Sequence, residues 1–418
     1  MKYVVIFQLV YQLLAGLLRD AGLPESILRL SDLINAVLLV GLVVSPEKKR
    51  LKPAKNILLA LGLWLGYMIV SALFKAPDPR QILSSVHIWG RGFVLLCAAF
   101  VFLDRKDMDW ILQMMDFALV FHFLLICVEF FVFDKKRDTL GGIFGSKMGC
   151  NAPNTVYMTF MLAWTLCRVF EEDRVKPIAV FTPFATMIAA GMMELKIFFY
   201  FYPVVIGLVM LMYAVRGKAK RKTVVPMVLC AVAALGIGLY IMYLLYPTHF
   251  LLLIGKRSLA DYEEKCRVPY AISRTHFVSE INDWTFHGSL PLNLTGYGFG
   301  NCIDGSVFAA QNQDWSYQLF SNQLLFLEGG FIGLMLFAAI PMVSCVEHGL
   351  ALLRKKDTLP HVLGCVFALM MTVIIFYNNS YHTETAYLIW FAITISYFLT
   401  FDDKSEASER GKVCAIPH

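Results

Sequence analysis

Charged residues are scarce in this chain of 418 residues. Asp, Glu, Lys and Arg make up 16% of the sequence, whereas hydrophobic residues make up 58%. A soluble domain carries about 25% charged residues, so this composition cannot cover a globule of such length with polar surface. The shortage of charge therefore argues against a soluble protein and predicts an integral membrane protein.

Several chemical signatures are also missing. The sequence has no CxxC pair and no Cys/His cluster, so a structural zinc site has no support. The glycine run LTGYGFGNCIDGS, residues 294–306, fails the dinucleotide fingerprint because its third glycine comes one residue early, and no Gly-Lys-Ser/Thr follows it. The expected outer segments lack the Asp-x-Asp pair that often holds a catalytic divalent cation. We therefore expect no metal, no cofactor and no nucleic-acid partner.

Apolar runs of the length needed to cross a membrane as a helix recur along the chain. We identify twelve, approximately at residues 3–18, 27–45, 56–74, 80–103, 109–133, 152–170, 177–193, 197–215, 223–246, 316–346, 361–377 and 385–401. Every second connection is rich in Lys and Arg, which by the positive-inside rule predicts that both termini are cytoplasmic. The expected fold is all-α, with a polytopic membrane domain over residues 1–401 and a polar cytoplasmic tail over residues 402–418.

Two connections depart from this regular pattern. The outer connection near residues 133–151 contains four basic residues, Lys135, Lys136, Arg137 and Lys147. Either the fifth span is misassigned, or these cations have a task at the outer face. The connection of about residues 247–315, between the ninth and tenth spans, is far longer than the other outer loops. Long ordered loops in compact proteins are usually functional or disordered, so we expect one large extracytoplasmic loop here.

Ionisable side chains interrupt the apolar runs at two places. Glu194 and Lys196 lie in GMMELKIFFYFYP, and Arg91 lies between two glycines in HIWGRGFVLLC. Ionisable groups at such depth are costly and usually face a cavity. Because Glu194 and Lys196 are two positions apart, they do not share a helix face, and we expect them at a helix end or break.

Each of these positions has an alternative interpretation. Glu194 and Lys196 could belong to an interfacial hairpin whose side chains reach the membrane surface. Arg91 could pair with an acidic residue of a neighbouring helix, for which the candidates are Asp32, Asp116 and Glu129.

The long loop concentrates cations within about twenty residues. They are Lys256, Arg257, Lys265, Arg267 and Arg274. Arginine binds phosphate well because its planar guanidinium donates to two oxygens at once. The alternative is that these cations face lipid headgroups or pair with nearby acids, namely Asp261, Glu263 and Glu264.

Short motifs follow one another over about residues 140–340. Arg274 precedes the glycine run at 296–300, and Glu328 opens the segment EGGFIGL. Earlier, GGIFGSKMGCNAPN ends in Pro153 and Asn154. In these motifs the chain resembles the bacterial O-antigen polymerases and O-antigen ligases, with Lys196 where those families usually have an arginine.

The resemblance implies a glycosyltransferase of the bacterial inner membrane. It would polymerise polyprenyl-diphosphate-linked oligosaccharide repeat units at the outer face, producing a capsule, an exopolysaccharide or O-antigen. Its partners would be the lipid-linked oligosaccharide, membrane lipid, a flippase and a chain-length regulator. The ligases carry a His-Asn pair before the glutamate, whereas this chain has Ser321-Asn322, which favours a polymerase. Ligase-type transfer to a lipid or wall acceptor and a lipid-linked oligosaccharide flippase stay as alternatives.

The resemblance, together with the embedded and loop charges described above, suggests roles for individual residues. The expected catalytic residues are Arg274, Lys196, Glu194 and His276. The expected substrate-binding residues are Arg91, Arg267, Arg257, Glu328, Gly298, Gly300 and Asn154. The general base is left open among His276, His287 and Glu194.

Two sets of glycines have structural roles by this interpretation. The run at 296–300 is expected to form a tight turn that folds the long loop back over a cavity before the tenth helix. Gly329, Gly330 and Gly333 have the spacing that permits close approach of another helix.

Overall fold

The computed structural model describes residues 1–413 except 25, 27–28, 76–77, 147–148, 259–270 and 355–356, and it describes residues 401–413 as backbone only. Within these residues the fold is helical and contains no strand; Ala271 and Ser316 form one isolated parallel β-bridge. Twelve long helices are present: α1 Lys2–Asp20, α2 Leu30–Val44, α3 Lys55–Lys75, α4 Pro79–Phe102, α5 Arg105–Phe131, α6 Asn151–Glu172, α7 Pro177–Met192, α8 Lys196–Val215, α9 Arg221–Leu245, α14 Ser321–Leu353, α15 Thr358–Ile374 and α16 Thr385–Val413.

Shorter elements occupy the connections of the described chain. Four short helices lie between α9 and α14: α10 Pro247–Leu253, α11 Phe277–Ile281, α12 Leu290–Thr295 and α13 Val307–Gln311. A π-helical turn, Asn282–Phe286, follows α11, and 3₁₀ turns cover Lys48–Ala54, Arg137–Thr139 and Gly142–Phe144.

Seven described helices are long and apolar enough to cross a membrane, judged by length and composition: α1, α3 with its preceding 3₁₀ turn, α4, α5, α8, α9 and α14. Four more apolar helices are shorter, at α2, α7, α15 and Thr385–Thr400 of α16. The long helices follow the predicted apolar runs in order, because an unbroken apolar run satisfies its backbone hydrogen bonds best as a helix. The fold is thus all-helical and compatible with a membrane protein, and the arrangement of twelve spans stays a prediction.

The outer surfaces of several long helices carry large apolar side chains. Phe74 is 83% exposed, Phe117 is 73% exposed and Leu229 is 65% exposed. A soluble protein rarely exposes so many large apolar side chains on its helices. These surfaces indicate contact with lipid.

An aromatic cluster connects the long helices with the glycine run. Trp64 of α3 and Trp89 of α4 both contact Phe337 of α14, with ring centroids 5.0 and 5.1 Å apart. Phe299, from the middle of the glycine run, is fully buried and packs edge-on against Trp64 at 5.9 Å. The connection between α9 and α14 is therefore anchored in the helical core. The polar tail predicted from residue 402 continues α16 as helical backbone up to Val413.

The predicted topology can be tested by cysteine labelling. Asp283→Cys lies on the exposed surface of the long connection, and Lys49→Cys is exposed in a basic connection predicted to be cytoplasmic. In intact cells, an impermeant thiol reagent should label Asp283→Cys and should label Lys49→Cys only after permeabilisation. The unmodified chain, treated in parallel, gives the background from native cysteines. Equal labelling of both positions before permeabilisation would refute the predicted topology.

Candidate anion-binding site

Glu194 lies in the break between α7 and α8. α7 ends at Met192 and α8 begins at Lys196, so the predicted helix break at these residues is confirmed. Glu194 has φ +59°, a left-handed conformation that is uncommon for a residue with a side chain. Such strain is usually retained where the surroundings fix the residue for a purpose.

Three basic side chains surround the Glu194 carboxylate. Arg137 Nε lies 3.1 Å from Oε2, whereas Lys196 Nζ and His249 Nδ1 lie 3.1 and 3.0 Å from Oε1. The Glu194 side chain is only 10% exposed. Burial, the largest single influence, favours the neutral acid. The hydrogen bond to His249 and the charge of Lys196 together outweigh burial, so the pKa of Glu194 is lowered.

The unusual basic loop near residues 133–151 contributes to this arrangement. Arg137 has φ +57°, contacts Glu194 and lies 5.7 Å from the centre of the Tyr246 ring. Tyr246 in turn donates a hydrogen bond to Met192 O at the end of α7, which fixes the ring beside the helix break. Arg137 therefore has defined partners at the helix break. A role for the basic residues of this loop was one of the two interpretations drawn from the sequence.

Asp138 connects this loop with Arg274. Burial and then the negative charge of Glu194 raise the pKa of Asp138, whereas the charges of Lys196 and Arg274 lower it. Lys196 and Arg274, which are distant in sequence, therefore both lie within electrostatic range of this carboxylate. We call Arg137, Lys196 and Arg274, with Glu194 and Asp138, the cation cluster.

Two aromatic rings hold Arg274. Its guanidinium carbon lies 4.6 Å from the ring centre of Phe320 and 4.7 Å from that of Tyr377. Phe320 directly precedes α14, and Tyr377 follows α15. Both rings lie within cation–π distance of the guanidinium, and Arg274 is exposed, so an anion can reach its N–H donors.

A cavity of about 360 Å³ is linked to the cluster through Asn151, although no residue of the cluster lines it. Leu13 of α1, Met115 of α5 and Leu388 of α16 form part of an apolar wall, and Arg19 and Glu384 also line the space. Cys150 and Ala152 line it as well, and Asn151 between them donates a hydrogen bond to Asp138. The cavity, whose lining is partly apolar, is therefore connected to Asp138 of the cation cluster by one side-chain hydrogen bond, that of Asn151.

Arg91 lies outside the cluster. It is buried in α4, where Nη2 donates to His382 O at 2.8 Å and Nη1 lies 3.5 Å from Glu384 Oε1. Arg91 forms its direct ion pair with none of the three acidic partners suggested by the sequence: Asp32 contacts His87, Asp116 contacts Arg168, and Glu129 accepts from the backbone of Gly141 and Gly142. Asp32 still lies within electrostatic range of Arg91. The sequence missed Glu384 because it lies on a connection, away from the helices considered.

Glu328 lies beneath the glycine run and is fully buried. Its Oε1 accepts hydrogen bonds from Gly300 N at 3.0 Å and Cys302 N at 3.2 Å. The backbone also pairs, since Gly298 N donates to Glu328 O at 2.9 Å. The predicted substrate-binding roles of Glu328, Gly298 and Gly300 have no support from this geometry, because these residues bind one another.

The tight turn predicted for the glycine run is confirmed. Gly296, Gly298 and Gly300 have φ values of +65°, +95° and +90°. A Cβ at Gly296 would lie 2.5 Å from the Glu328 backbone. Glycine is required there both for its conformation and for close backbone approach.

The EGGFIGL glycines have two roles. A Cβ at Gly329 or Gly333 would meet Met68 Sδ of α3 at 2.8 or 3.0 Å, so the predicted close helix contact is confirmed for these two residues. Gly330 differs, because its φ of +61° kinks α14 where the Leu294 backbone packs against it.

The remaining predicted site residues are dispersed. Asn154 is fully buried in the first turn of α6, and its Nδ2 donates to Cys150 O at 2.8 Å. His276 is exposed two residues after Arg274, His287 is exposed at the end of the π-helical turn, and Arg257 is half-buried after α10. Arg267 lies outside the described residues, as do Asp261, Glu263 and Glu264.

Sequence reasoning missed Asp138 and His249 at the site and His382 beside Ser321. It named Arg137 only as one of four basic residues in its loop. His382 Nδ1 lies 3.4 Å from Ser321 Oγ, so a histidine from the connection before α16 stands beside the Ser-Asn pair. The excess of basic residues near 133–151 was the one signal that pointed to Arg137.

Comparison of the sequence with models of known protein families and with curated proteins finds no match.

The Glu194 contacts predict a specific dependence of stability on pH. Removing one partner from a buried ionic group costs roughly 3 to 5 kcal/mol, so Glu194→Gln should markedly lower the thermal unfolding temperature at neutral pH. Because the folded-state pKa of Glu194 is lowered from 4.5, its stabilisation is present above pH 4.5 and is lost as pH falls through the lowered value. The difference between wild type and Glu194→Gln should therefore shrink in acid.

Thermal unfolding of the detergent-purified chain at several pH values measures this difference. Glu47→Gln is the matched control, because Glu47 is 60% exposed and should contribute little. A Glu194→Gln variant as stable as wild type at neutral pH would contradict the anchoring role.

Proposed function

We propose that this chain is a membrane glycosyltransferase that polymerises polyprenyl-diphosphate-linked oligosaccharides at the outer face of the bacterial inner membrane. The proposal includes twelve membrane spans, cytoplasmic termini and an outer location for the cation cluster. One arrangement supports it: Arg137 and Lys196 meet at the Glu194 carboxylate, and a cavity with a partly apolar wall is lined by the residues on either side of Asn151, which donates to Asp138 of the same cluster. A diphosphate attached to a long apolar chain needs both features.

The reaction requires an acceptor hydroxyl oxygen to attack the anomeric carbon of a second repeat unit. The bond between that carbon and the diphosphate oxygen breaks, and the electron pair leaves with the diphosphate. Fixed cations stabilise the growing negative charge most strongly where bulk water is excluded. Lys196, Arg274 and Arg137 are suited to this role without a metal ion.

The acceptor proton needs a base. Glu194 is a weak candidate because its pKa is lowered and its oxygens already contact three basic groups. Asp138 is better suited, because it is exposed and can be reached by a substrate hydroxyl, and because partial desolvation and the neighbouring Glu194 raise its pKa. We assign proton acceptance to Asp138 and the orientation of cations to Glu194.

The ligase alternative differs from the polymerase in its acceptor, and the flippase alternative differs in that it transfers no glycan between molecules. A ligase would use the same donor site and transfer the glycan to a lipid or wall acceptor, so product analysis distinguishes it from a polymerase. A flippase would move the lipid-linked oligosaccharide without breaking the glycosidic bond. Formation of products longer than one repeat unit by the purified chain supports the polymerase.

Arg274→Ala should slow polymer formation by about one to two decades. A charge-assisted hydrogen bond contributes roughly 1.5 to 3 kcal/mol, and each 1.4 kcal/mol corresponds to about a tenfold change in rate. Arg274→Lys should restore activity only in part, because lysine lacks the planar fork that stacks between Phe320 and Tyr377.

Polymer formation from purified lipid-linked repeat units measures this effect. Arg354→Ala, at the opposite end of α14, removes an exposed arginine and should leave the rate unchanged. A well-folded Arg274→Ala variant with the wild-type rate would exclude the assigned role.

Asp138→Asn should lower the polymerisation rate by roughly two to four decades, as expected for loss of a general base, while donor binding persists. In wild type, kcat/KM should fall as pH decreases through the pKa of Asp138, which lies above the ordinary value of 3.8. Asp134→Asn is the matched control, since Asp134 lies in the same loop and is 85% exposed. An Asp138→Asn variant with an unchanged rate and acid limb would require a different base.

A further inference from the structure

The long connection contains a second pocket, apart from the cation cluster. It has a volume of about 540 Å³ and lies between the segment 304–306 and the residues from α13 to Leu319. Its lining includes the polar side chains of Asp304, Asn312, Gln313 and Gln318. Ligand sites typically occupy about 300 to 1,000 Å³, so the space suffices for a small ligand.

An aromatic side chain accompanies these polar groups. Trp315 lines the pocket and is half-buried, and its ring lies 5.4 Å from that of Trp284. The C–H groups on one face of a pyranose are apolar and pack on an aromatic ring, whereas its hydroxyls require directional hydrogen bonds. An indole beside carboxylate and amide groups meets both needs.

Existing contacts hold the polar groups in position. Gln318 Nε2 donates to Asp304 Oδ1 at 3.0 Å, and Asn312 Nδ2 donates to Phe308 O at 2.8 Å. In both amides, the nitrogen makes the existing hydrogen bond. This bond also fixes the orientation of the amide oxygen, which can then accept a hydrogen bond from a sugar hydroxyl. The pocket walls are therefore ordered before a ligand arrives, which lowers the entropy cost of binding.

The pocket adjoins Arg274 through two backbone connections. Ser316 lines the pocket and forms the isolated bridge with Ala271, three residues before Arg274. Leu319 also lines the pocket, and the next residue, Phe320, stacks on the Arg274 guanidinium. The backbone on both sides of the pocket is thus connected to Arg274.

We propose that this pocket binds the glycan portion of the acceptor, with Trp315 stacking on a sugar ring and the Asn312 and Gln318 amides hydrogen-bonding to hydroxyls. This inference rests on the proposed glycosyltransferase function. The glycan recognition itself requires no diphosphate and no lipid. Binding of a soluble oligosaccharide therefore tests the pocket separately from polymerisation.

The probe is a set of lipid-free oligosaccharides prepared by partial hydrolysis of the surface polysaccharide of the cells from which the chain derives. Saturation-transfer NMR with the detergent-purified full chain should detect binding to wild type. Trp315→Ala should weaken binding by at least about tenfold, whereas Trp315→Phe should retain most of it because a ring face remains. Trp110→Ala is the matched control, since Trp110 is 51% exposed on α5 and should have no effect.

A parallel assay measures polymer formation from lipid-linked repeat units. Trp315→Ala should raise the acceptor KM more than it lowers kcat, and Arg274→Ala should retain soluble-glycan binding while losing polymerisation. If wild type does not bind the oligosaccharides, or if Trp315→Ala binds them with unchanged affinity, the glycan pocket is refuted even where polymerisation is observed. If Trp315-dependent binding occurs without any polymerisation, the pocket stands and the proposed function fails.

Discussion

The carboxylate of Glu194 is the interaction on which the candidate site depends. Arg137 comes from the connection after α5, Lys196 begins α8 and His249 belongs to α10, and all three meet at this one side chain. Without the carboxylate, cations from different segments would repel one another in a poorly solvated space. The anion therefore determines where the cations lie, and it does so from a strained backbone position between two apolar helices.

A second buried carboxylate organises the opposite side of the site. Glu328 receives N–H donors from the glycine run, and the same run inserts Phe299 between the helices. Because the run is fixed to the start of α14, the connection that carries Arg274 is restrained as well. Gln323 of α14 strengthens this restraint by donating to Ile272 O at 2.9 Å. Glu194 thus holds the segments that carry Arg137, Lys196 and His249, and Glu328 restrains the connection that carries Arg274.

The sequence predicted those parts of the structure that depend on local chemistry. The apolar runs predicted the positions of the helices, because helix formation in such runs depends on neighbouring residues. The charges within an apolar run indicated the helix break at Glu194. Positive φ angles in the glycine run followed from the lack of a Cβ.

Ion pairs between distant segments could not be predicted from the local sequence. Nothing local to Arg137 indicates Glu194, and nothing local to Arg91 indicates Glu384. His382 illustrates the same limit. A motif comparison looks for the histidine next to Asn322 in sequence, whereas the fold brings one to Ser321 from the far side of α15.

The side chains of the cation cluster are held in position without a bound anion, and this preorganisation affects how the cluster would stabilise a developing negative charge. Lys196 and Arg137 are held by Glu194, and Arg274 is held by two rings, so an incoming diphosphate would meet groups already oriented. Preorganised charges stabilise a developing anion without a reorganisation cost at the moment of reaction. In the proposed reaction, the retained carboxylates would also limit the net positive charge and so keep the product diphosphate from binding too tightly. A site composed of cations alone would hold the leaving group, whereas a site with internal counter-charges can release it for the next turnover.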